Sequence, residues 1–193
     1  LLLRQDNLNN DQNLYLQTIR KSSAHLLALI NDVLDFSKID AGKLELDTAT
    51  FDLEEAIFDV MDMLSPLAAQ KHIDMAFYYA DNVPKHVVGD ALRFKQILTN
   101  LISNAIKFTP DGEIIVRARM EQDDIGQCLL HFSVQDSGIG LSGTDRKKLF
   151  ESFSQGDASV TRQFGGTGLG LAISKQLVHL MQGQIGFEDN QER

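Results

Sequence analysis

The sequence predicts an α+β domain, one sheet covered by helices on a single face, preceded by a long helix of separate character. Three observations point there. Residues 11–37, 53–64, 91–108 and 169–181 read as helices, the first as an a/d seam and the second as an apolar stripe. Residues 75–79, 113–120, 129–135 and 184–187 read as strands. The middle two strands are joined by a polar loop containing Gly126, which suits a hairpin and so an antiparallel pair.

Taken in order, Leu16, Ile19, Ser23, Leu26, Ile30 and Val33 alternate at spacings of three and four. The seam spans under about four heptads, so it suits a helical hairpin in a bundle better than a long coiled coil. Gly42 ends this helix. Asp52 and Glu55 then have capping-box spacing, with Asp in the Ser/Thr place. Leu53, Ile57, Val60, Met61 and Leu64 follow as a stripe that packs a core. Pro84 breaks the chain after the first strand, and Thr109-Pro110-Asp111-Gly112 ends the helix 91–108 as a turn. Residues 138–143 form a glycine-rich turn and 146–150 a short helix, while 155–167 is a long polar stretch expected to be mobile.

The chain has 193 residues, enough for one domain plus an extra element. Hydrophobic residues make up 43% and charged residues 23%, as in a globular protein. A net charge of −9 and a pI near 4.9 argue against a nucleic-acid binder, while leaving room for a local basic spot. The single cysteine, Cys128, cannot form an intramolecular disulfide and reads as a small core residue. No apolar run is long enough to cross a bilayer. The chain opens at Leu1, which suggests a fragment whose membrane anchor, if any, lies upstream.

Chemistry concentrates on the helix 91–108. Leu98, Leu101, Ile102 and Ala105 make one side; Arg93, Gln96, Asn100, Asn104 and Lys107 fall within an arc of roughly 80° on the other. Two asparagines one turn apart are poor helix formers. Neutral amides in register can hold a hard cation and bond phosphate oxygens without repelling either. Lys107 adds a point charge for phosphate. A solvated face would explain the stripe equally well, so the glycine loops decide. The first, Asp136-Ser137-Gly138-Ile139-Gly140, ends a strand, where a carboxylate can accept from an exocyclic amine such as that of adenine. The second, Gly165-Gly166-Thr167-Gly168-Leu169-Gly170-Leu171, leads into a helix whose N-terminal amides attract phosphate. So many glycines weaken helix and strand alike, and packing alone gives little reason for them. This second loop lacks the lysine and hydroxyl of a P-loop, since Leu171 and Ala172 stand there. Gly138-x-Gly140-x-x-Gly143 matches the dinucleotide fingerprint only by accident, because no βαβ unit follows.

These residues resemble a known family. Residues 100–109, 136–140, Phe150-x-x-Phe153 and 165–171 are similar, in order and spacing, to the N, G1, F and G2 boxes of sensor histidine kinases. Residues 27–46 resemble the stem-to-catalytic junction of the hybrid members. The resemblance covers nearly the whole chain and implies a Bergerat-type (GHKL) α/β sandwich over 44–193, with 1–43 as the second helix of a dimerisation stem. It further implies that Asn104 ligates Mg²⁺ and that Asn100 supports the phosphate–metal site. Lys107 would contact phosphate, Phe108 would lie near the nucleotide, and Asp136 would read the adenine amine. Gly138, Ile139 and Gly140 would allow close approach, and Phe150 and Phe153 would anchor a lid from which Arg162 reaches the γ-phosphate. Gly166, Thr167, Gly168, Leu169 and Gly170 would shape the phosphate end of an ATP site.

Hydrolases that share this fold carry a glutamate one turn before the magnesium asparagine. Asn100 stands there and cannot act as a base at neutral pH, and Gln96 is no better, so hydrolysis should be slow. The family's acceptor histidine lies in a His-Glu-x-x-x-Pro context that this sequence lacks. His25, His72, His86, His131 and His179 share no motif with it. The chain is therefore expected to bind ATP without phosphorylating itself. Expected partners are a second copy through the stem and a receiver domain or response regulator, with no nucleic acid; a degenerate domain serving as an interaction module is the alternative. The expected location is the cytoplasmic portion of a bacterial inner-membrane protein. The exposed seam predicts self-association by sedimentation.

Overall fold

A computed structural model describes residues 9–122, 128–141, 149–150 and 168–189. The helix expected at 146–150, the loop at 123–127 and the stretch 155–167 fall wholly or largely outside them, as do the side chains of His25 and Cys128. The chain divides into two compact units, Leu1–Leu44 and Glu45–Arg193.

In the first unit, α1 (Asn10–Asp40) starts with a reciprocal capping box. The Asn9 side chain accepts from the Gln12 N–H at 2.8 Å, and the Gln12 side chain accepts from the Asn9 N–H at 3.0 Å. It ends in a Schellman closure, with the Gly42 N–H bonded to Ile39 O and the Lys43 N–H to Lys38 O. Gly42 sits at φ +62°, as that motif requires. Of the predicted seam, Ile19, Leu26, Ile30 and Val33 are exposed.

In the second unit, a two-stranded antiparallel sheet pairs β1 (Ala49–Asp52) with β3 (His86–Gly89). A three-stranded sheet has the order β2 (Ile73–Tyr79), β4 (Gly112–Gln122), β5 (Cys128–Asp136). β2 runs parallel to β4, and β4 and β5 form the expected antiparallel pair. Two helices, α2 (Leu53–Ala69) and α3 (Ala91–Phe108), build the core against the face carrying Ile114, Val116 and Ala118. Leu53, Ile57, Val60 and Leu64 of α2 meet Leu98, Ile102, Ala105 and Ile106 of α3 there. The last helix, α4 (Gly170–Leu180), packs on α3.

The starts of α2 and α3 are each fixed by an aspartate side chain. Asp52 caps α2 by accepting from the Glu55 N–H at 3.0 Å, one half of the predicted box. Asp90, buried, caps α3 through the Arg93 N–H at 3.0 Å and takes the Asp47 N–H at 3.1 Å with its other oxygen. Phe94 ties α3 to both sheets, its ring 6.0 Å from Phe51 on β1 and 5.0 Å from Phe132 on β5. The strand expected at 184–187 does not form: residues 183–189 carry no regular structure and pair with no strand among the described residues.

Candidate functional site

The polar stripe of α3 lies half-buried, and both glycine loops come to it. At the C-terminal end of α3, the loop after β5 is clamped by backbone contacts. The Ile139 N–H donates to Phe108 O at 3.2 Å, and the Ser137 N–H to Glu113 O at 3.1 Å. Asp136 accepts the Gly138 N–H at 2.9 Å and so folds the loop over itself. A Cβ on Gly138 would stand 2.5 Å from Phe108 O and 2.8 Å from Asp136 Oδ1, so only glycine passes between helix and loop. Ile139, 62% exposed, projects from it, and Gly140 has φ +70°.

Midway along α3, the second loop arrives as the start of α4. A Cβ on Gly170 would collide with Asn100 Oδ1. The Asn100 Nδ2 donates to the buried Ser174 Oγ at 2.9 Å, one turn further along α4. Asn104 Nδ2 points to Asn100 Oδ1 at 3.4 Å. The amides are thus in register, and their order is set from Ser174, a residue that carries no motif signal. Gly170 therefore has a packing reason that the sequence alone did not reveal. Leu169 at the N-cap brings no side-chain acceptor, and no acidic residue lies in the first turn. Gly168 has φ +70°.

Lys107 and Phe108 complete the described part of the site. The Lys107 ammonium lies 4.8 Å from the centre of the Phe108 ring, and burial holds its pKa below the usual lysine value of 10.5. Further up the stripe, Arg93 Nη1 donates to Gln96 Oε1 at 2.7 Å. Phe150 is half-buried in a turn. Phe153, Arg162, Gly165, Gly166 and Thr167 lie outside the described residues. Among those described, no cluster of three His, Cys, Asp or Glu could hold a metal ion. The amides of Asn100 and Asn104 are instead hard, neutral donors, suited to a cation already carrying phosphate.

Comparison with known proteins bears on this geometry. A family model described as histidine kinase-, DNA gyrase B- and HSP90-like ATPase matches residues 89–193, more than half of the chain. A second, the His kinase A (phospho-acceptor) domain, matches residues 1–42. The sensor histidine kinase GacS of Pseudomonas protegens is 49% identical over 187 residues, 97% of this chain and 20% of that protein. The signal transduction histidine-protein kinase BarA of Escherichia coli is 41% identical over 179 residues, 93% of this chain and 20% of that one. The chain thus spans about a fifth of the length of these relatives. The crystal structure of full-length ShkA in complex with AMPPNP superimposes with a TM-score of 0.75 at 36% identity, covering 91% of this chain and 35% of ShkA. The α+β sandwich is the histidine kinase catalytic fold.

Proposed function

Because the chain belongs to the histidine kinase-, DNA gyrase B- and HSP90-like ATPase family, we propose that residues 44–193 bind Mg·ATP and present its γ-phosphoryl group to a histidine on a dimeric helical stem. Residues 1–43 supply the second stem helix in this reading, in keeping with the phospho-acceptor match over 1–42. The observation that carries it is that one helix meets both glycine loops, through Phe108 O at Ile139 and through Asn100 at Gly170.

Asp136 and the close-approach backbone at Gly138, Ile139 and Gly140 take the adenine end, with Phe108 beside it. Asn104 holds Mg²⁺ with its amide oxygen, its Nδ2 being turned to Asn100. The cation neutralises charge on the β- and γ-phosphates when bound. Lys107 contacts phosphate, and Gly166, Thr167, Gly168, Leu169 and Gly170 enclose the phosphate end at the start of α4. Arg162 reaches the γ-phosphate from a lid anchored by Phe150 and Phe153. Asn100 spends its N–H on Ser174 and offers no base for water, so positioning and electrostatics favour transfer over hydrolysis. The apolar side of α1, with Ile19, Leu26, Ile30 and Val33 exposed, suits a second copy of the stem. A receiver domain or response regulator is the onward acceptor. No described helix is long and apolar enough to cross a membrane. The reading places this portion in the cytoplasm of a bacterium, with any anchor in other segments.

Calorimetric titration of ATP with and without Mg²⁺, beside Asn104→Asp, tests this. Saturable, Mg²⁺-dependent binding with little turnover is expected, weakened about tenfold or more in the variant by added charge near the phosphates. A folded wild-type chain that binds no nucleotide would replace this reading with that of an interaction module.

A further inference from the structure

We propose that Lys71 is a positioning residue for the nucleotide site, holding the last turn of α3 in the form that seats the loop 136–140; this rests on the nucleotide reading above. α3 cannot close as α1 does. Its C-cap, Thr109, is extended at φ −100° and ψ 113°, and Pro110 has no N–H to return to the helix. The carbonyls of the last turn need another donor.

Lys71 provides it. Its ammonium donates to Ile106 O at 2.7 Å, Lys107 O at 3.0 Å and Thr109 O at 3.4 Å, three acceptors for a group with three N–H bonds. The positive charge stands at the negative end of the helix dipole. The backbone of Lys71 is fixed in turn by its N–H bond to Ala68 O at the end of α2, whose stripe forms the core. The carbonyl that Lys71 leaves out of this set is that of Phe108, which takes the Ile139 N–H and sets the clearance at Gly138. Donors are thus divided between two neighbours: the core-anchored lysine holds three carbonyls, and the ligand-side loop holds the fourth. The same turn carries Lys107 and Phe108. Without the ammonium, the Ile106 and Lys107 carbonyls lose their side-chain donor, the turn loosens, and the Phe108–Ile139 contact loosens with it. Lys71 acts on bound nucleotide only through that turn.

The test compares the full 193-residue chain with Lys71→Met and Lys71→Arg, reading amide hydrogen exchange at Ile139 and titration with Mg·ADP. In Lys71→Met, exchange at Ile139 should rise about tenfold and ADP affinity should fall about fivefold, with Val116 in the central strand protected as in the wild type. Lys71→Arg, which keeps the charge and the donors, should recover much of both. Unchanged protection of Ile139 in Lys71→Met overturns the proposal. So does equal loss at Val116, which would mark Lys71 as a support of global stability. A wild-type chain that fails to bind ADP overturns the nucleotide reading, while exchange at Ile139 still reports separately on the cap.

Discussion

Both glycine loops press against α3, but one glycine meets backbone and the other meets a side chain. Gly138 faces the carbonyl of Phe108, which the helix and Ile139 hold in place. Gly170 faces the amide of Asn100, which can swing about its own torsions if it gives up Ser174. A similar sequence signal therefore stands for two different tolerances, and substitution should separate them.

The largest effect is expected at Gly138→Ala. The added methyl has no space that does not move the end of α3 or the loop, so unfolding free energy should drop by about 2–3 kcal/mol in denaturant melts. ADP binding should weaken beyond detection at the same time. Near-wild-type behaviour would mean that the loop yields more readily than its contacts imply.

Gly170→Ala should cost less, about 1–2 kcal/mol, mostly through the lost Asn100–Ser174 bond. A double-mutant cycle sharpens the point. In an Asn100→Ala background the same change should cost almost nothing, giving a coupling of about 1–2 kcal/mol. Additive losses would assign Gly170 to backbone conformation instead.

The smallest effect concerns Lys107, at the turn between the two loops. Its pKa in the folded chain is lowered by burial from 10.5. The unfolded chain therefore binds this proton more tightly. The group's contribution to stability improves as pH rises from the lowered value toward 10.5. Nucleotide binding has the opposite sign, since phosphate favours the ammonium. ADP affinity should fall roughly two- to threefold as pH rises through the lowered pKa, and Lys107→Met should flatten that slope.

The sequence made the two loops legible but not this difference between them. Amphipathic periodicity located α2 and α3, because a helix that buries one stripe must show it in its spacing. The asparagine stripe and the loop glycines stood out because helices rarely use those residues without cause. Ser174 stayed hidden, since nothing in a helical serine announces an asparagine 74 residues away. Lys71 was equally silent, with its first carbonyl partner 35 residues distant. β1 and β3, four residues each, were too short to display a period, and their pairing is fixed by position after folding. At 184–187 the opposite error arose: a segment that reads as a strand in the sequence pairs with no described strand.

β2 and β4 lie side by side and parallel, so the chain must travel the length of the sheet and return between them. That return path is β3 and α3. The helix that carries the asparagines is thus the crossover connection of the sheet itself. The central strand cannot acquire its parallel neighbour until residues 80–111 have closed into a loop, a step whose entropy is spent before the pairing contributes. Kinetically, then, the antiparallel β4–β5 pair, adjacent in sequence, can form early, while the third strand of the sheet waits on closure of the segment that contains the asparagine helix.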